Sequence, residues 1–252
     1  MTALGSVGGG PVHSATPSSR SPLVLIAHGS ADPRSAANAG AIARLVRRSR
    51  PGLDVRVAFC EQNSPGLVDV LTPGAVVTPL LLADAYHARV DIPRQIADAG
   101  MGGIRQADVL GEDDRLISVV RERLAEVGVS GRDRGLGVLL VAIGSSDRAV
   151  NARTATVAAK LAAGTRWTGA TMAFATGPEP SVADAANQLR RRGADRIVIA
   201  PWFLATGRVL DRVRHFARDA GIAMAAPLGA HQTVADTALD RYDQTVCAQA
   251  AA

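Results

Sequence analysis

The chain has 252 residues and a net charge of +5, from 28 Lys and Arg against 23 Asp and Glu. Hydrophobic residues make up 47% but aromatic residues only 3%, so we expect a core of Ala, Val, Leu and Ile, which is typical of parallel sheets covered by helices. There is no apolar run long enough for a membrane helix, and Cys60 and Cys247 form no CxxC pair, which argues against a disulfide framework and a Cys-ligated metal centre.

Residues 1–21 are rich in Gly, Ser and Pro and lack the charged-then-apolar order of a signal peptide. We therefore expect a disordered leader and a soluble, cytoplasmic protein. The arginines are scattered over helical stretches such as RLVRRSR (44–50) without interleaved aromatic residues, so nucleic acid is not an expected partner. We expect these arginines on solvated helix faces; the alternative is a positive field that steers a small polyanionic substrate.

From Pro22 onward, short apolar runs alternate with helical patterns. LVLIAHGS, DVRVAFCE and AVVTPLLLA predict strands, whereas NAGAIARLVRRSR and PGLVDVL predict helices. Alternation at this spacing indicates a parallel sheet with helices on both faces. In LLLADAYHARVDIP (80–93) an apolar strand ends at a predicted loop that presents Tyr86, His87 and Asp91.

The second half of the chain repeats the first. LIAHGSADPRSAAN at Leu25 matches LVAIGSSDRAVNAR at Leu140, and AFCEQNSPGLVDVL at Ala58 matches AFATGPEPSVADAA at Ala173, both at an offset of 115 residues. TPLLLADAY and LGEDDRLISVVRERL have counterparts at offsets of 122 and 118. We predict a duplicated unit with one sheet per copy, an N-terminal lobe over residues 22–130 and a C-terminal lobe over residues 131–252.

Three polar side chains follow different strands of the first lobe. Ligands bind beyond the carboxyl ends of parallel strands, which places these side chains on one rim. They are His28, Glu61 and His87. The corresponding places of the second lobe hold Ile143, Thr176, and Val209 or its neighbour Arg208. Because the second copy keeps the scaffold without these groups, the histidines of the first copy are expected to serve a function rather than the fold.

Two imidazoles and a carboxylate can hold a divalent first-row metal, and histidine can also act as a general base near neutral pH. Two other functions stay open at this stage. Ser30 lies two residues after His28 and could be a nucleophile, although no GxSxG motif surrounds it. The Gly-Ser turn could also cradle a phosphate, although GxGxxG and the P-loop lysine are both missing.

The motifs LIAHGSADPR, AFCEQNSP and PLLLADAYHARVDIP, in this order and spacing, resemble those of the class II chelatases. Members of that family insert a metal into sirohydrochlorin and include sirohydrochlorin ferrochelatase and the related cobaltochelatase. The resemblance extends from Pro22 to about Tyr242. It implies two flavodoxin-like lobes that face each other across a central cleft, either in one duplicated chain or in a dimer, so a monomer is sufficient here and a dimer is possible.

The resemblance also implies the roles of individual residues. His28 and His87 correspond to the family's metal-handling histidines and Glu61 to its acidic helper, so all three are expected to be catalytic and to hold the metal. Sirohydrochlorin is the expected partner, Fe²⁺ the expected substrate metal, with Co²⁺ for cobalamin biosynthesis as the alternative, and no permanent cofactor is expected. The expected substrate-binding residues are Ser30, Tyr86, Arg89 and Arg208, the arginines because the substrate is rich in carboxylates.

The sequence departs from the family pattern at two places. Cys60 precedes the glutamate where a bulky aliphatic residue is expected, and Asp84 with Ala85 replaces a glycine that often precedes the tyrosine. Asp84 either adds a carboxylate near the metal or faces solvent. A carrier that binds a tetrapyrrole or a metal without turnover remains the alternative from another functional class.

Overall fold

The computed structural model describes residues 21–177 and 179–250. The leader predicted over residues 1–21 therefore lies outside the described residues, apart from Ser21. The backbone carbonyl of Ser21 accepts a hydrogen bond from the Tyr242 hydroxyl at 2.6 Å. In the described part of the chain, no helix has both the length and the apolar character needed to cross a membrane.

The first lobe contains a four-stranded parallel sheet with the order β2-β1-β3-β4. Its strands are β1 (Leu23–Ala27), β2 (Val55–Phe59), β3 (Val76–Pro79) and β4 (Arg105–Gln106). Its helical segments are α1 (Pro33–Ser49), α2 (Leu67–Val70), a π-helical turn (His87–Asp91), α3 (Ile92–Asp98) and α4 (Asp114–Glu126). The prediction of a loop from Tyr86 to Asp91 is therefore wrong, because residues His87–Asp91 form a single π-helical turn.

The second lobe repeats this arrangement in a sheet with the order β6-β5-β7-β8. Its strands are β5 (Leu136–Ala142), β6 (Gly169–Phe174), β7 (Arg196–Pro201) and β8 (Ala223–Met224). Its helices are α5 (Arg148–Ala162), α6 (Val182–Arg191), α7 (Arg208–Asp219) and α8 (Gln232–Ala250). The predicted fold class, two duplicated parallel-sheet lobes of α/β type, is confirmed.

The same local rules start the first helix of each lobe. Asp32 caps α1 by accepting from the Arg34 amide at 3.0 Å, and Asp147 caps α5 by accepting from the Ala149 amide at 2.8 Å. An N-cap carboxylate satisfies a backbone N–H that has no partner inside the helix, a contribution of about 1 kcal/mol. The helix therefore begins directly after the strand-end turn, and the turn is held at the rim of the sheet.

Each sheet buries both of its faces. Leu25 of β1 and Leu140 of β5 belong to the same central core, which lies between the two sheets. Their neighbours along the strands point the other way, because successive side chains of a strand face opposite sides of the sheet. Ile26 lies in an outer core of the first lobe, and Leu139 lies in an outer core of the second. The two lobes therefore share one core in the middle of the molecule and keep one core each on the outside.

The last helix of each lobe packs on the other lobe. Helix α4 contacts α5 and β7, whereas α8 contacts α1 and β3. Leu116 and Leu124 of α4 and Val234 of α8 are buried in the central core. The predicted boundary near residue 130 thus separates the two sheets along the chain, but each sheet is covered by a helix that belongs to the other half of the sequence.

Arginines join the two exchanged helices. Arg115 pairs with Asp113 and with Asp240 of α8, and Arg241 donates to Asp113 at 2.9 Å. The hydrogen bonds from Arg115 hold the pKa of Asp113 at about 2, well below its ordinary value. Arg50, the residue that follows α1, likewise pairs with Asp243 of α8. Arg50, from a stretch expected on a solvated helix face, instead connects the lobes, as Arg115 and Arg241 do.

Candidate functional site at the cleft between the lobes

A cavity of about 670 Å³ lies between the lobes, beyond the carboxyl ends of the central strands. Its lining includes His28, Ser30 and His87 from the first lobe and Ile143 and Arg208 from the second. This volume is within the range of small-molecule sites. The structure thus brings the predicted histidines to one wall of the predicted cleft, with the second lobe forming the opposite wall.

His28 is the first residue after β1, and the backbone behind it is closely packed. Gly29 has φ +97°, and a Cβ placed there would lie 1.7 Å from the backbone oxygen of Glu61. The Glu61 amide in turn donates to the His28 carbonyl at 3.1 Å. Only glycine fits this crossing, so the HGS motif holds the histidine and the glutamate on adjacent strand ends.

The two imidazoles contact each other. The ring centroids of His28 and His87 are 4.0 Å apart with an interplanar angle of 77°. Nδ1 of His28 lies 3.0 Å from the Gly29 carbonyl oxygen, and Nδ1 of His87 lies 2.6 Å from Oδ2 of Asp91. Since both partners are acceptors, we assign the proton of each ring to Nδ1. Each Nε2 then keeps its lone pair and makes no hydrogen bond to another described residue.

Asp91 is a site residue to which the sequence patterns assign no role. It lies four residues after His87 in the π-helical turn, where the Ile92 amide donates to the His87 carbonyl five residues back. Its side chain is only 14% exposed. The i, i+4 spacing of a histidine and an aspartate is the sequence signal that could have found this pair.

Glu61 lies behind His28 rather than beside the free Nε2. Its Oε1 is 3.6 Å from Nδ1 of His28 and accepts from Nε2 of Gln62 at 2.9 Å. Within residues 21–177 and 179–250, no set of three His, Cys, Asp or Glu side chains is arranged to hold a metal ion. The geometry therefore brings together two imidazole ligands with a carboxylate near one of them, and Glu61 as a third ligand stays a prediction.

The backbone amides around Ser30 are hydrogen-bonded to side chains of the turn itself and of the loop after β2. The Ser30 amide donates to Asn63 at 2.6 Å and the Ala31 amide donates to Gln62 at 3.0 Å, while Oγ of Ser30 accepts from the Asp32 amide at 3.1 Å. The amides that a phosphate would need are thus occupied, which argues against the phosphate cradle. No hydrogen bond joins this serine to the neighbouring histidine in the described part of the chain, which argues against the nucleophile.

The two arginines predicted to bind substrate differ in their surroundings. Arg89 pairs with Asp84 at 3.0 Å and reaches Asp147 of the second lobe at 3.4 Å, so it would have to exchange these partners to bind a substrate. Asp84 is thus the partner of Arg89. Arg208 is the first residue of α7, lines the cavity, and forms no ion pair within the described residues.

Tyr86 also lines the cavity and its side chain is exposed, with a relative exposure of 61%. It is in edge contact with His87, with ring centroids 6.1 Å apart. An exposed aromatic ring beside the two imidazoles offers a flat apolar surface to a planar ligand. Tyr86 therefore lies where the sequence predicted it, next to His87 at the cleft.

Cys60, one of the two departures from the family pattern, lies near Asp91 and Glu61 of the site. Burial raises the pKa of its thiol to about 11, and the nearby carboxylates of Asp91 and Glu61 act in the same direction. The thiol therefore stays protonated near neutral pH, and a protonated thiol is a poor metal ligand.

The second lobe builds the same strand ends without ionisable side chains. The Thr176 amide donates to the Ile143 carbonyl at 2.9 Å, as the glutamate amide does to the histidine carbonyl in the first lobe. Gly144 has φ +99°, close to that of Gly29. Ile143, which has the place of His28, is 51% exposed and lines the cavity. The structure thus confirms the alignment of His28 with Ile143 and of Glu61 with Thr176.

Solved structures resemble the fold described above. The structure of SirB from Bacillus subtilis with Fe³⁺ superposes with a TM-score of 0.77 at 21% identity, over 89% of this chain and 95% of that one. A structure of CbiX, described as the terminal enzyme for the biosynthesis of siroheme in denitrifying bacteria, gives a TM-score of 0.67 at 24% identity, over 88% and 98%. These likenesses establish that the fold is that of two-lobed chelatases.

Sequence comparison identifies the family. The CbiX family model matches residues 22–127 and 137–245, so this chain belongs to the CbiX family, with both lobes matched. Among its relatives, the sirohydrochlorin ferrochelatase of Priestia megaterium is 28% identical in an alignment of 207 residues that covers 76% of each chain. The sirohydrochlorin cobaltochelatase of Sulfurisphaera tokodaii is 31% identical in an alignment of 80 residues that covers 29% of this chain and 67% of that one.

Proposed function

We propose that this protein is a sirohydrochlorin ferrochelatase, which inserts Fe²⁺ into sirohydrochlorin to give siroheme and two protons. The observation that carries the proposal is the pair of imidazoles, with ring centroids 4.0 Å apart and Nε2 atoms free, on the wall of a cavity of about 670 Å³. Relatives that match both lobes are ferrochelatases of the same substrate.

His28 and His87 are the proposed ligands of the incoming metal ion, each through Nε2. Two neutral imidazoles bind a first-row divalent ion, and they leave most of its coordination sites open to the nitrogens of the macrocycle. The second lobe faces them with the aliphatic side chain of Ile143. This apolar wall is expected to contact a face of the macrocycle and to offer no ligand that would compete for the metal.

The same imidazoles are the proposed acceptors of the two protons. When the metal passes to the macrocycle, Nε2 of each histidine becomes free again, while two pyrrole nitrogens lose their protons. One proton for each imidazole closes the balance. Glu61, with Oε1 at 3.6 Å from Nδ1 of His28, would then stabilise the positively charged ring.

The carboxylates of the substrate require cationic partners. Arg208 is the best placed of the proposed binding residues, because it lines the cavity, has no ion-pair partner among the described residues, and begins helix α7, whose first amides favour an anion. Ser30, Tyr86 and Arg89 complete the proposed substrate-binding set. One chain supplies both walls of the cavity, so we propose that a cytoplasmic monomer is sufficient for activity.

Cobalt insertion is the second candidate. The same two imidazoles accept Co²⁺ as well as Fe²⁺, and a structure of a Bacillus subtilis sirohydrochlorin chelatase is described in complex with cobalt. The relative that is a cobaltochelatase matches a smaller part of this chain than the ferrochelatases do. Iron is therefore the preferred assignment, and a carrier without turnover is the alternative that the following experiment also tests.

The test follows the visible absorption of sirohydrochlorin anaerobically with Fe²⁺ and, separately, with Co²⁺. The intact protein is expected to accelerate the spectral change over the spontaneous rate, and His28→Ala and His87→Ala are each expected to return it to that rate. His215→Ala replaces an exposed histidine of α7 that does not line the cavity, and it is the matched control, expected to stay within about threefold of the intact protein. Stoichiometric binding without acceleration would establish the carrier instead.

A further inference from the structure

We propose that Asp91 is a positioning residue that fixes His87 in the orientation and tautomer needed to bind the metal. This inference rests on the proposed function, because it concerns the same site, but it assigns a residue to which neither the sequence motifs nor the comparisons give a role. Four observations carry it: the contact itself, its burial, the helical turn that creates it, and its absence from the second lobe.

The contact is short and directional. Nδ1 of His87 lies 2.6 Å from Oδ2 of Asp91, which is the short contact of a hydrogen bond between an imidazole and a carboxyl group. His28 has a looser arrangement, because its Nδ1 donates to the Gly29 carbonyl at 3.0 Å, while the carboxylate of Glu61 stays 3.6 Å away. Of the two imidazoles, His87 is therefore the one held by a dedicated carboxylate.

The contact between His87 and Asp91 is largely shielded from water. The side chain of Asp91 is 14% exposed and that of His87 is 30% exposed, so water competes little for the bond. The other oxygen of Asp91 accepts from Arg94 at 3.3 Å, and that arginine is 63% exposed. Since Oδ2 faces the imidazole and Oδ1 faces Arg94, the carboxylate is oriented from both sides.

The wide helical turn gives the pair its geometry. Pro93 has no amide hydrogen to give to the Arg89 carbonyl four residues back, and its ring crowds that carbonyl in an α-helix. A π-helical turn from His87 to Asp91 precedes the proline. Such turns are rare and occur frequently at functional sites. In the second lobe, His215 has the place of Pro93, and α7 is an ordinary α-helix there.

The second lobe shows what the scaffold does without the pair. At the same offset of 122 residues, His87 and Asp91 correspond to Val209 and Val213 of α7. The imidazole and the carboxylate are thus absent together from the lobe that carries no site. A carboxylate required for the fold alone would be expected in both copies.

A carboxylate on Nδ1 acts on the metal through the far side of the ring. It keeps the proton on Nδ1, which leaves the lone pair on Nε2, and it raises the basicity of that nitrogen. Replacement by asparagine keeps the shape but lets an amide N–H donate to Nδ1. That bond would favour the opposite tautomer, which carries its proton on Nε2 and cannot bind a metal through that nitrogen.

The experiment measures Co²⁺ binding to the intact protein without any tetrapyrrole, together with the ¹⁵N NMR signature of the His87 ring. Asp91→Asn is expected to lower the Co²⁺ affinity by about 10-fold to 100-fold and to shift His87 away from the Nδ1–H tautomer. Asp98→Asn, an exposed aspartate at the end of α3, is the matched control and is expected to leave both readouts unchanged.

A second pair of variants separates positioning from folding. In the His87→Ala background, Asp91→Asn is expected to change the Co²⁺ affinity by less than about twofold, because the two residues act as one unit. A purely structural aspartate would cost the same in both backgrounds. Unchanged affinity in Asp91→Asn, equal losses in the two backgrounds, or an Nε2–H tautomer of His87 in the intact protein would each overturn the inference.

These readouts do not depend on turnover. If the intact protein binds Co²⁺ as described but does not accelerate chelation, the proposed function fails while the role of Asp91 stands. If chelation is accelerated and Asp91→Asn retains full Co²⁺ affinity, the role of Asp91 fails while the proposed function stands.

Discussion

The two lobes build the same strand-end turn and place different side chains on it. His28 and Ile143 each follow the first strand of their lobe, and each accepts a hydrogen bond at its carbonyl from the amide at the end of the neighbouring strand. In the first lobe this position at the cleft holds an imidazole, and in the second it holds an aliphatic chain. The turn is thus a property of the fold, whereas the chemistry depends on which residue the turn presents.

The difference between the lobes also explains how one chain can form a cleft with two chemically different walls. One wall carries the imidazoles, and the other carries Ile143 and the cation Arg208. A substrate between them would meet the proposed metal ligands on one side only. A duplicated chain with imidazoles on the cleft wall of one copy only therefore gives the cleft two different walls, which two identical copies would not form.

The largest expected effect comes from separating the lobes. Residues 21–130 and 131–250, produced as two separate chains, are each expected to lack a cooperative unfolding transition, because each would lose the helix that covers its sheet. Mixing the two chains is expected to restore the transition, as measured by circular dichroism during heating. An intact protein cut within residues 131–135 after folding is the control and should stay associated. Independent cooperative unfolding of either half would contradict the shared core.

The next effect concerns the glycine that both lobes keep. Gly29→Ala introduces a Cβ at 1.7 Å from a backbone oxygen in addition to the strain of φ +97°, so we expect a loss of about 3 kcal/mol or more in the free energy of unfolding. Iron insertion should fall to the spontaneous rate, since the turn that holds His28 must move.

Gly52→Ala is the matched control for that variant. Gly52 has φ +83°, but a Cβ placed there meets no atom within 4 Å. It is expected to lose only the strain of the left-handed conformation, about 1–2 kcal/mol, and to keep its activity. Equal losses for the two variants in urea unfolding would show that the close crossing at Gly29 is unimportant.

The smallest effect concerns Asp113, the N-cap residue of α4, which accepts hydrogen bonds from Arg115 of the same helix and from Arg241 of α8. Arg115 holds the pKa of Asp113 at about 2 in the folded state, against 3.8 for the unperturbed group. The unfolded chain therefore binds more protons between pH 4 and pH 2, and the stability that Asp113 contributes above pH 4 is lost as the pH falls through this window. Between about pH 5 and pH 2.5, the intact protein should lose about 1–2 kcal/mol more than Asp113→Asn does.

The control for the pH experiment is an aspartate without a strong partner. Asp219 is 76% exposed and lies 3.8 Å from Arg218, so Asp219→Asn should show the same pH dependence as the intact protein. Urea unfolding at the two pH values measures each difference. If Asp113→Asn retains the full pH dependence, the pairs of Asp113 with Arg115 and Arg241 contribute nothing to the loss of stability in acid.

The sheets and the turn could be predicted from the sequence because both follow from local patterns. The apolar runs and the HGS motif recur at a fixed offset, and each can be interpreted without knowledge of distant residues. The exchange of α4 and α8 could not be predicted in this way. The apolar face of a helix shows that it covers a sheet, but it does not show which of two similar sheets it covers.

The site could be predicted in part for the same reason. His28, Glu61 and His87 are identified because the second copy lacks them, and the structure brings the two imidazoles into contact. The position of Glu61 behind His28 depends on side-chain rotamers, and the partners of Arg89 lie partly on the other lobe. Neither follows from spacing. The contact between His87 and Asp91 could have been predicted from the sequence, since the two residues are four positions apart, which is close to one helical turn.

The exchange of the final helices has a consequence for synthesis on the ribosome. The strands of the first sheet emerge early, whereas α8, which packs on α1 and β3, emerges only after the whole second sheet. The apolar face that α8 covers is therefore exposed while the second half of the chain is still being translated. An early lobe without its cover is a candidate for transient binding by chaperones until the last helix arrives.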